Sequence, residues 1–255
     1  MKSHVIKLIR RFAATALLVP AMALASGAGK LDKAPVSTDQ AALQNGAKLF
    51  INYCLNCHGA SALRYNQLQK IGLTEEAIRE NLLFTGEKTG DMMQISMTRD
   101  DAEAWFGTVP PDLSVIARAK ASEAGSGADY LYTYLRGFYQ DPNRPTGWNN
   151  KVFDNVGMPH ALWDLQGTQT ARKVKATDAH GKETVGIELI APAKPGRYST
   201  EEYDKAVADL VSFMVWMGEP VAEKRKQIGI YVLIYLAGFY LLAHALGKNY
   251  WKDIH

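Results

Sequence analysis

The chain has 255 residues, 47% apolar and 22% charged, which is the make-up of an ordinary globular protein with room for one sizeable domain plus appendages. Its formal net charge of +3 comes from the ends, because residues 26–223 carry five more acidic than basic side chains. That balance argues against a nucleic-acid binder and suits a basic protein partner.

Residues 1–25 read as a secretory signal. Lys2, Lys7, Arg10 and Arg11 form a basic n-region, Phe12 to Leu24 is apolar, and Ala23-Leu24-Ala25 is a small-residue cleavage site, so the mature chain would begin at Ser26. An uncleaved N-terminal anchor is the competing reading. Residues 26–36 are small and irregular, the composition of a linker. Ser37-Thr38-Asp39-Gln40 then reads as a capping box opening a helix. Leu43, Gly46, Ala47 and Phe50 recur at helical spacing and define its apolar face, with Gly46 allowing another backbone to come close.

That helix runs into Tyr53-Cys54-Leu55-Asn56-Cys57-His58, a Cys-x-x-Cys-His sequence. The spacing suits covalent c-type haem: two thiols three positions apart reach neighbouring vinyl groups, and the adjacent imidazole can ligate the iron. Cys54 and Cys57 are the only cysteines in the chain. A zinc site needs further ligands nearby, and the next histidine is His160. A redox dithiol leaves His58 without a purpose. One covalent haem c is therefore the expected cofactor.

Beyond the motif, Thr74 is expected to cap a helix reaching Leu83, and Gly86 to Gly90 to form a loop. Met92, Met93 and Met97 suit either core or surface, while Trp105 and Phe106 are expected to bury. Pro110-Pro111-Asp112-Leu113-Ser114 breaks the chain and opens a helix with Pro or Asp in its first turn. Val115, Ile116 and Ala119 would be its buried side. Arg118 and Lys120 suit haem propionates or, equally, a solvated surface. Tyr130 to Tyr139 reads as an aromatic-rich helix with Tyr130, Tyr134, Leu135 and Phe138 on one face, followed by a turn-rich loop from Asp141 to Asn150.

A haem held by His58 on one face calls for a second ligand. A thioether there makes a Met/His pair that raises the reduction potential and suits electron transfer. Met158 is preferred, because Gly157 and Pro159 fix a loop that can aim one side chain inward. Met92, Met93 and Met97 stay as alternatives, and His160 as the rival for a bis-His iron. Met214 and Met217 fall on a helix face instead.

Residues 172–190 alternate around Asp178-Ala179-His180-Gly181 and predict a β-hairpin. Ser199-Thr200-Glu201-Glu202 is a second capping box. The helix it opens carries an apolar stripe of Tyr203, Val207, Leu210, Val211 and Met214, ends near Gly218 and Pro220, and can pack across the Gly46 helix. Ile228 to Leu246 is 19 residues without Asp, Glu, Lys or Arg. As a helix it would span roughly 28 Å, enough for a bilayer core. A buried helix is the competing reading. Trp216 suits the near interface, and Tyr250 and Trp251 the far one. Basic residues flank both ends, so the orientation rests on the signal and the haem: domain outside, tail inside.

Taken together, these segments resemble the cytochrome c1 family, the haem subunit of quinol–cytochrome c reductase. The resemblance is carried by Cys54-Leu55-Asn56-Cys57-His58, by Pro110-Pro111-Asp112-Leu113-Ser114 with Arg118, by Gly157-Met158-Pro159, and by the C-terminal span after Met214-Val215-Trp216-Met217-Gly218-Glu219-Pro220. It runs from about Ala41 to Lys252, and matches least well between Ala60 and Gly107. It implies a mainly α fold: a class I cytochrome c-like haem domain with insertions, a small β-hairpin and one C-terminal transmembrane helix. The corresponding segments are a signal over 1–25, a linker over 26–36, a haem domain over 37–220, a juxtamembrane stretch over 221–227, a span over 228–246 and a tail over 247–255. It also implies thioether bonds at Cys54 and Cys57, His58 and Met158 as axial ligands, Pro110 and Pro111 bordering the haem, and a basic side chain on a propionate, with arginine common in the family where Lys120 stands. The implied partners are cytochrome b, the Rieske iron–sulfur protein and a soluble cytochrome c. The complex would be dimeric, in a bacterial inner membrane with the haem domain in the periplasm. An anchored cytochrome feeding a terminal oxidase is the alternative function.

Overall fold

The computed structural model describes residues 31–95, 97–177 and 183–253, so the expected signal segment and the turn of the expected hairpin lie outside the described residues. Helix α1 spans Gln40–Leu49. Asp39 caps it, accepting from Ala42 N–H, whereas the Ser37 hydroxyl accepts from Asp39 N–H. The expected box at Ser37 is thus displaced by two residues, because Asp39 already satisfies an orphan amide of the first turn. Leu43, Gly46, Ala47 and Phe50 are all buried, as their spacing predicts.

The partner of that face is α7, Thr200–Gly218, opened by a capping box at Ser199 and Glu202. Tyr203, Val207, Leu210, Val211 and Met214 are buried along it. Each such side chain contributes about 1.5–3 kcal/mol of burial. The crossing is close because Gly46 has no Cβ: an added one would sit 2.1 Å from the Asp209 carbonyl oxygen. Phe50 and Phe213 complete the seam with ring centroids 5.5 Å apart.

Around this pair the chain lays short elements. Strand β1 (Ala60–Arg64) pairs antiparallel with β2 (Met92–Met93), and between them lie a 3-10 turn over Tyr65–Ile71 and α2 (Glu75–Asn81), capped by Thr74 as expected. Helix α3 (Arg99–Phe106) follows. Trp105 and Phe106 stand 66% and 47% exposed at its end, against the expectation of burial. Only Ala102 of α3 is buried, so the helix presents a narrow inner edge and its aromatic end falls outside the core.

Helix α4 spans only Ile116–Ala119. It does not begin at the prolines, because Asp112 spends its carboxylate on Ser61 and Ser114 amides (both 2.8 Å) rather than capping a helix. Of the three residues expected on its inner side only Ile116 is buried; Val115 and Ala119 are exposed. Helix α5 (Gly127–Arg136) begins earlier and ends earlier than expected, with a capping box at Ser126 and Asp129. Phe138 and Tyr139 belong instead to β3 (Phe138–Gln140), which pairs with β4 (Trp148–Asn150). Gly137 ends the helix and lets the chain turn into that strand. After α6 (Trp163–Gln166), the long antiparallel hairpin of β5 (Gly167–Thr177) and β6 (Glu183–Pro195) extends the expected one at both ends.

Helix α8 runs from Ala222 to Tyr250, 29 residues. It is the one helix among the described residues long and apolar enough to cross a bilayer, and none of its apolar window is buried. At 1.5 Å per residue it reaches about 43 Å, so its first turns, with Glu223 bonded to Lys226, extend past a hydrocarbon core of about 30 Å.

The chain before α1, read as linker, is tied to α5 from Asp32 onward. Asp32 N–H donates to Thr133 Oγ1 and Ala34 N–H to Asp129 Oδ1, both at 2.8 Å, and Lys33 Nζ donates to Asp129 Oδ2 at 3.1 Å. Burial works to raise the pKa of Asp129, but donors from Ala34, Ser126 and Lys33 outweigh it and lower the value to about 2. A carboxylate with a folded pKa below its unfolded one stabilises fully above the unfolded value of 3.8, and that stabilisation disappears as pH falls through about 2. Thermal unfolding of the holoprotein should therefore lose about 1 kcal/mol across this acid window. Asp129→Asn should be less stable at neutral pH and lack that acid step.

Candidate haem-attachment site

The attachment motif sits where α1 loosens. The helix widens into a π-turn over Phe50–Cys54, closed by Leu55 N–H donating to the Phe50 carbonyl at 3.0 Å. The chain then curls onto one acceptor: Cys57 N–H and His58 N–H both donate to the Cys54 carbonyl, at 3.0 and 2.8 Å. The two cysteines and the histidine thus belong to one tight turn, all three half-buried. Among the described residues, no three His, Cys, Asp or Glu side chains group so as to hold a metal ion by themselves. Burial, and then the neighbouring Cys57, push the Cys54 thiol up to about 12. A redox dithiol attacks as the thiolate, so a protonated Cys54 counts against that reading.

The proline segment closes over this turn. His58 Nδ1 lies 2.7 Å from the Pro111 carbonyl oxygen. A carbonyl can only accept, so Nδ1 carries the proton and Nε2 is left with its lone pair, the tautomer a metal-ligating imidazole requires. Burial holds the His58 pKa below the ordinary imidazole value, against smaller opposing effects of Pro111 and Asp112, and so favours the neutral ring. Three further bonds lock the two segments together, and a fourth braces the proline segment itself. Leu113 N–H donates to the Gly59 carbonyl (2.7 Å), Ser61 N–H to Asp112 Oδ2 (2.8 Å), Ala62 N–H to Ser114 Oγ (2.9 Å) and Ser114 N–H back to Asp112 Oδ1 (2.8 Å).

Met158 is half-buried in the loop after β4. The Tyr134 hydroxyl donates to its Sδ at 3.5 Å. Burial raises the Tyr134 pKa, which keeps the phenol protonated and able to donate. Tyr134 stacks on Tyr130 at 5.8 Å, and the Lys120 ammonium lies 5.2 Å from the centroid of the Tyr130 ring. Lys120 and Met158, 38 positions apart, therefore meet through two tyrosines. Arg118 lies 3.7 Å from Glu219, with its side chain 65% exposed. Of the alternative methionines, Met93 is wholly enclosed in the core, Met92 is exposed and Met97 half-buried. His160 is buried, and burial lowers its pKa to about 4, so its imidazole is neutral.

Two groups at this site left no mark in the sequence pattern. One is the Tyr134 hydroxyl, which reads as one more aromatic on a packed helix face. The other is a clamp on Tyr53, beside Cys54. The Tyr53 hydroxyl donates to Asp164 Oδ2 at 3.2 Å, and Arg197 Nη2 donates to Tyr53 Oη at 2.7 Å and also to Asp164. These residues are more than a hundred positions from Tyr53, and no local periodicity joins them.

Comparison with known proteins finds relatives along most of the chain. Residues 31–178 and 197–254 match the family model described as the Cytochrome C1 family. The chain is 46% identical over 243 residues to a cytochrome c1 of Allochromatium vinosum, covering 94% of this chain and 96% of that one. It is 50% identical over 241 residues to a protein of Nitrosomonas europaea named ammonia monooxygenase gamma subunit, covering 94% and 95%. A mitochondrial cytochrome c1 heme protein of Saccharomyces cerevisiae is 25% identical over 240 residues, covering 85% and 68%. Residues 179–196, which include most of β6, fall outside the family match.

The strap over the motif depends on Asp112. Asp112→Ala removes the acceptor of two backbone amides and should lower stability by about 1–2 kcal/mol. Denaturant unfolding of the holoprotein measures this, and an unchanged midpoint would show that the strap holds without the Asp112 carboxylate.

Proposed function

The chain belongs to the cytochrome c1 family, and on that premise we propose that it is the electron-carrying subunit of a quinol–cytochrome c reductase, receiving electrons from the Rieske iron–sulfur protein and passing them to a soluble cytochrome c. The family carries one covalent haem c, and this chain has two cysteines to hold it. The observation that carries the proposal is the His58 contact with Pro111, which leaves Nε2 free beside Cys54 and Cys57.

The residues present fit such a group. Cys54 and Cys57 would hold it through thioethers, His58 Nε2 would ligate from one side and Met158 Sδ from the other. Pro110 and Pro111 would border it, and Arg118 and Lys120 would face its propionates. When bound, the haem supplies one-electron redox chemistry. The work of the protein is to tune that chemistry: a thioether ligand favours the reduced state, and burial limits water. Pro111 fixes the imidazole tautomer, and Tyr134 donates to the Met158 sulfur. The name of the Nitrosomonas relative points to a monooxygenase subunit. A haem held by both His58 and Met158 would keep no open position for oxygen, which favours the carrier.

Helix α8 fits a single-pass anchor. We place the haem domain on the periplasmic side of a bacterial inner membrane, because residues 1–25 read as an export signal. The span would pack with cytochrome b, in a complex that follows its family in being dimeric.

Affinity purification of the full chain from its own membranes should bring down a cytochrome b with bis-His haems and a Rieske subunit. Recovery of terminal oxidase subunits in their place would overturn the assignment. The excess acid of residues 26–223 adds a kinetic expectation. Reduction of a basic cytochrome c by the complex should slow as ionic strength rises, and a salt-independent rate would remove that acceptor class.

A further inference from the structure

His160 lies two residues beyond Met158 and has no role in the scheme above. Its imidazole is 2% exposed and stacks face to face on Phe138, with centroids 4.8 Å apart and planes within 8°. The Trp148 ring meets it edge-on at 5.1 Å. Phe138 in turn packs edge-on against Tyr134 at 5.1 Å, and Tyr134 donates to the Met158 sulfur. The contacts form a closed circuit: from Met158 through Tyr134 and Phe138 to His160, and back along the chain through Pro159.

The circuit matters because of what the loop lacks elsewhere. Upstream of the methionine the chain is pinned by Arg144, whose guanidinium donates to Asn155 Oδ1 and to the Asn155 carbonyl at 2.9 and 2.8 Å, and by the buried Val156. Between Val156 and His160 the packing thins. A Cβ at Gly157 would meet nothing within 4 Å, and Pro159 is exposed. The methionine side chain has three rotatable bonds and adapts to many environments. With only the upstream pins and the single Tyr134 hydrogen bond, the loop that carries the sulfur would be free to shift. His160 is the downstream anchor, and its stack belongs to the same β3–β4 ribbon and α5 end that present Tyr134: Asn150 Nδ2 donates to the Tyr134 carbonyl at 2.8 Å. Stacked aromatic pairs lend directional stability beyond simple burial.

We propose that His160 is a positioning residue for the Met158 sulfur, acting through its stack on Phe138 rather than through a bond to the iron. The inference rests on the reading of Met158 as the second axial ligand. It assigns the aromatic face of the imidazole, not its nitrogens, as the part that matters.

The test uses the full-length holoprotein in detergent, with haem content measured first. The readouts are the far-red sulfur-to-iron charge-transfer band of the oxidised form, the midpoint potential, and carbon monoxide binding by the reduced form. His160→Gln keeps a polar side chain and loses the stack; it should show a several-fold weaker band, a lower potential and new carbon monoxide binding. His160→Phe keeps the stack and loses the nitrogens; it should resemble the parent in all three. If the two variants behave alike, whether both intact, both weakened or both without haem, the proposal is overturned. Met158→Ala separates this from the underlying reading: retention of the band in that variant would dismiss Met158 as ligand, whatever His160 does.

Discussion

The bond from His58 Nδ1 to the Pro111 carbonyl is the contact on which the rest of the site depends. It joins residues 53 positions apart, commits the imidazole to one tautomer and leaves the other nitrogen bare. The surrounding zipper from Gly59 to Ala62 against Asp112 to Ser114 holds the acceptor in place. Proline suits this strap. It has no amide hydrogen to satisfy, and its restricted φ keeps the segment extended. The shortness of α4 follows from the same bonds, because a carboxylate given to Ser61 and Ser114 is not available to cap a helix.

The α1–α7 crossing supplies the frame. Close approach at Gly46 brings two backbones together, and α1 then delivers the attachment turn directly from its C-terminal end. The π-turn over Phe50–Cys54 breaks the regular hydrogen-bond ladder and leaves the Cys54 carbonyl free to gather the amides of Cys57 and His58. On the other side, α5 presents Tyr130 and Tyr134 toward Lys120 and Met158. A second close approach supports this arrangement: a Cβ on Gly127 would fall 1.9 Å from the Ala117 carbonyl oxygen, so α5 seats directly on α4.

Much of this was legible in the residues because it is local. The Cys54-x-x-Cys57-His58 spacing, the caps at Thr74 and Ser199, the stripe of α7 and the uncharged run of α8 all follow from neighbours a few positions apart. Errors fell where a local pattern met a stronger distant demand. Trp105 and Phe106 looked like core residues by type, yet α3 has only Ala102 facing inward. Phe138 fits the helical periodicity of Tyr130 and Tyr134, but Gly137 and pairing with Asn150 draw it into a strand.

The amino-acid order by itself determined that a Cys-x-x-Cys-His motif stands at Cys54 to His58, that the chain resembles cytochrome c1, and that one apolar run is long enough to enter a membrane. Each of these rests on spacing along the chain or on an uninterrupted apolar run. Only the tertiary structure decided which nitrogen of His58 is bare, that Tyr134 touches the Met158 sulfur, and that Asp164 and Arg197 reach Tyr53. Those pairings join residues that no local period relates. They exist because tertiary packing brings distant segments within hydrogen-bond reach.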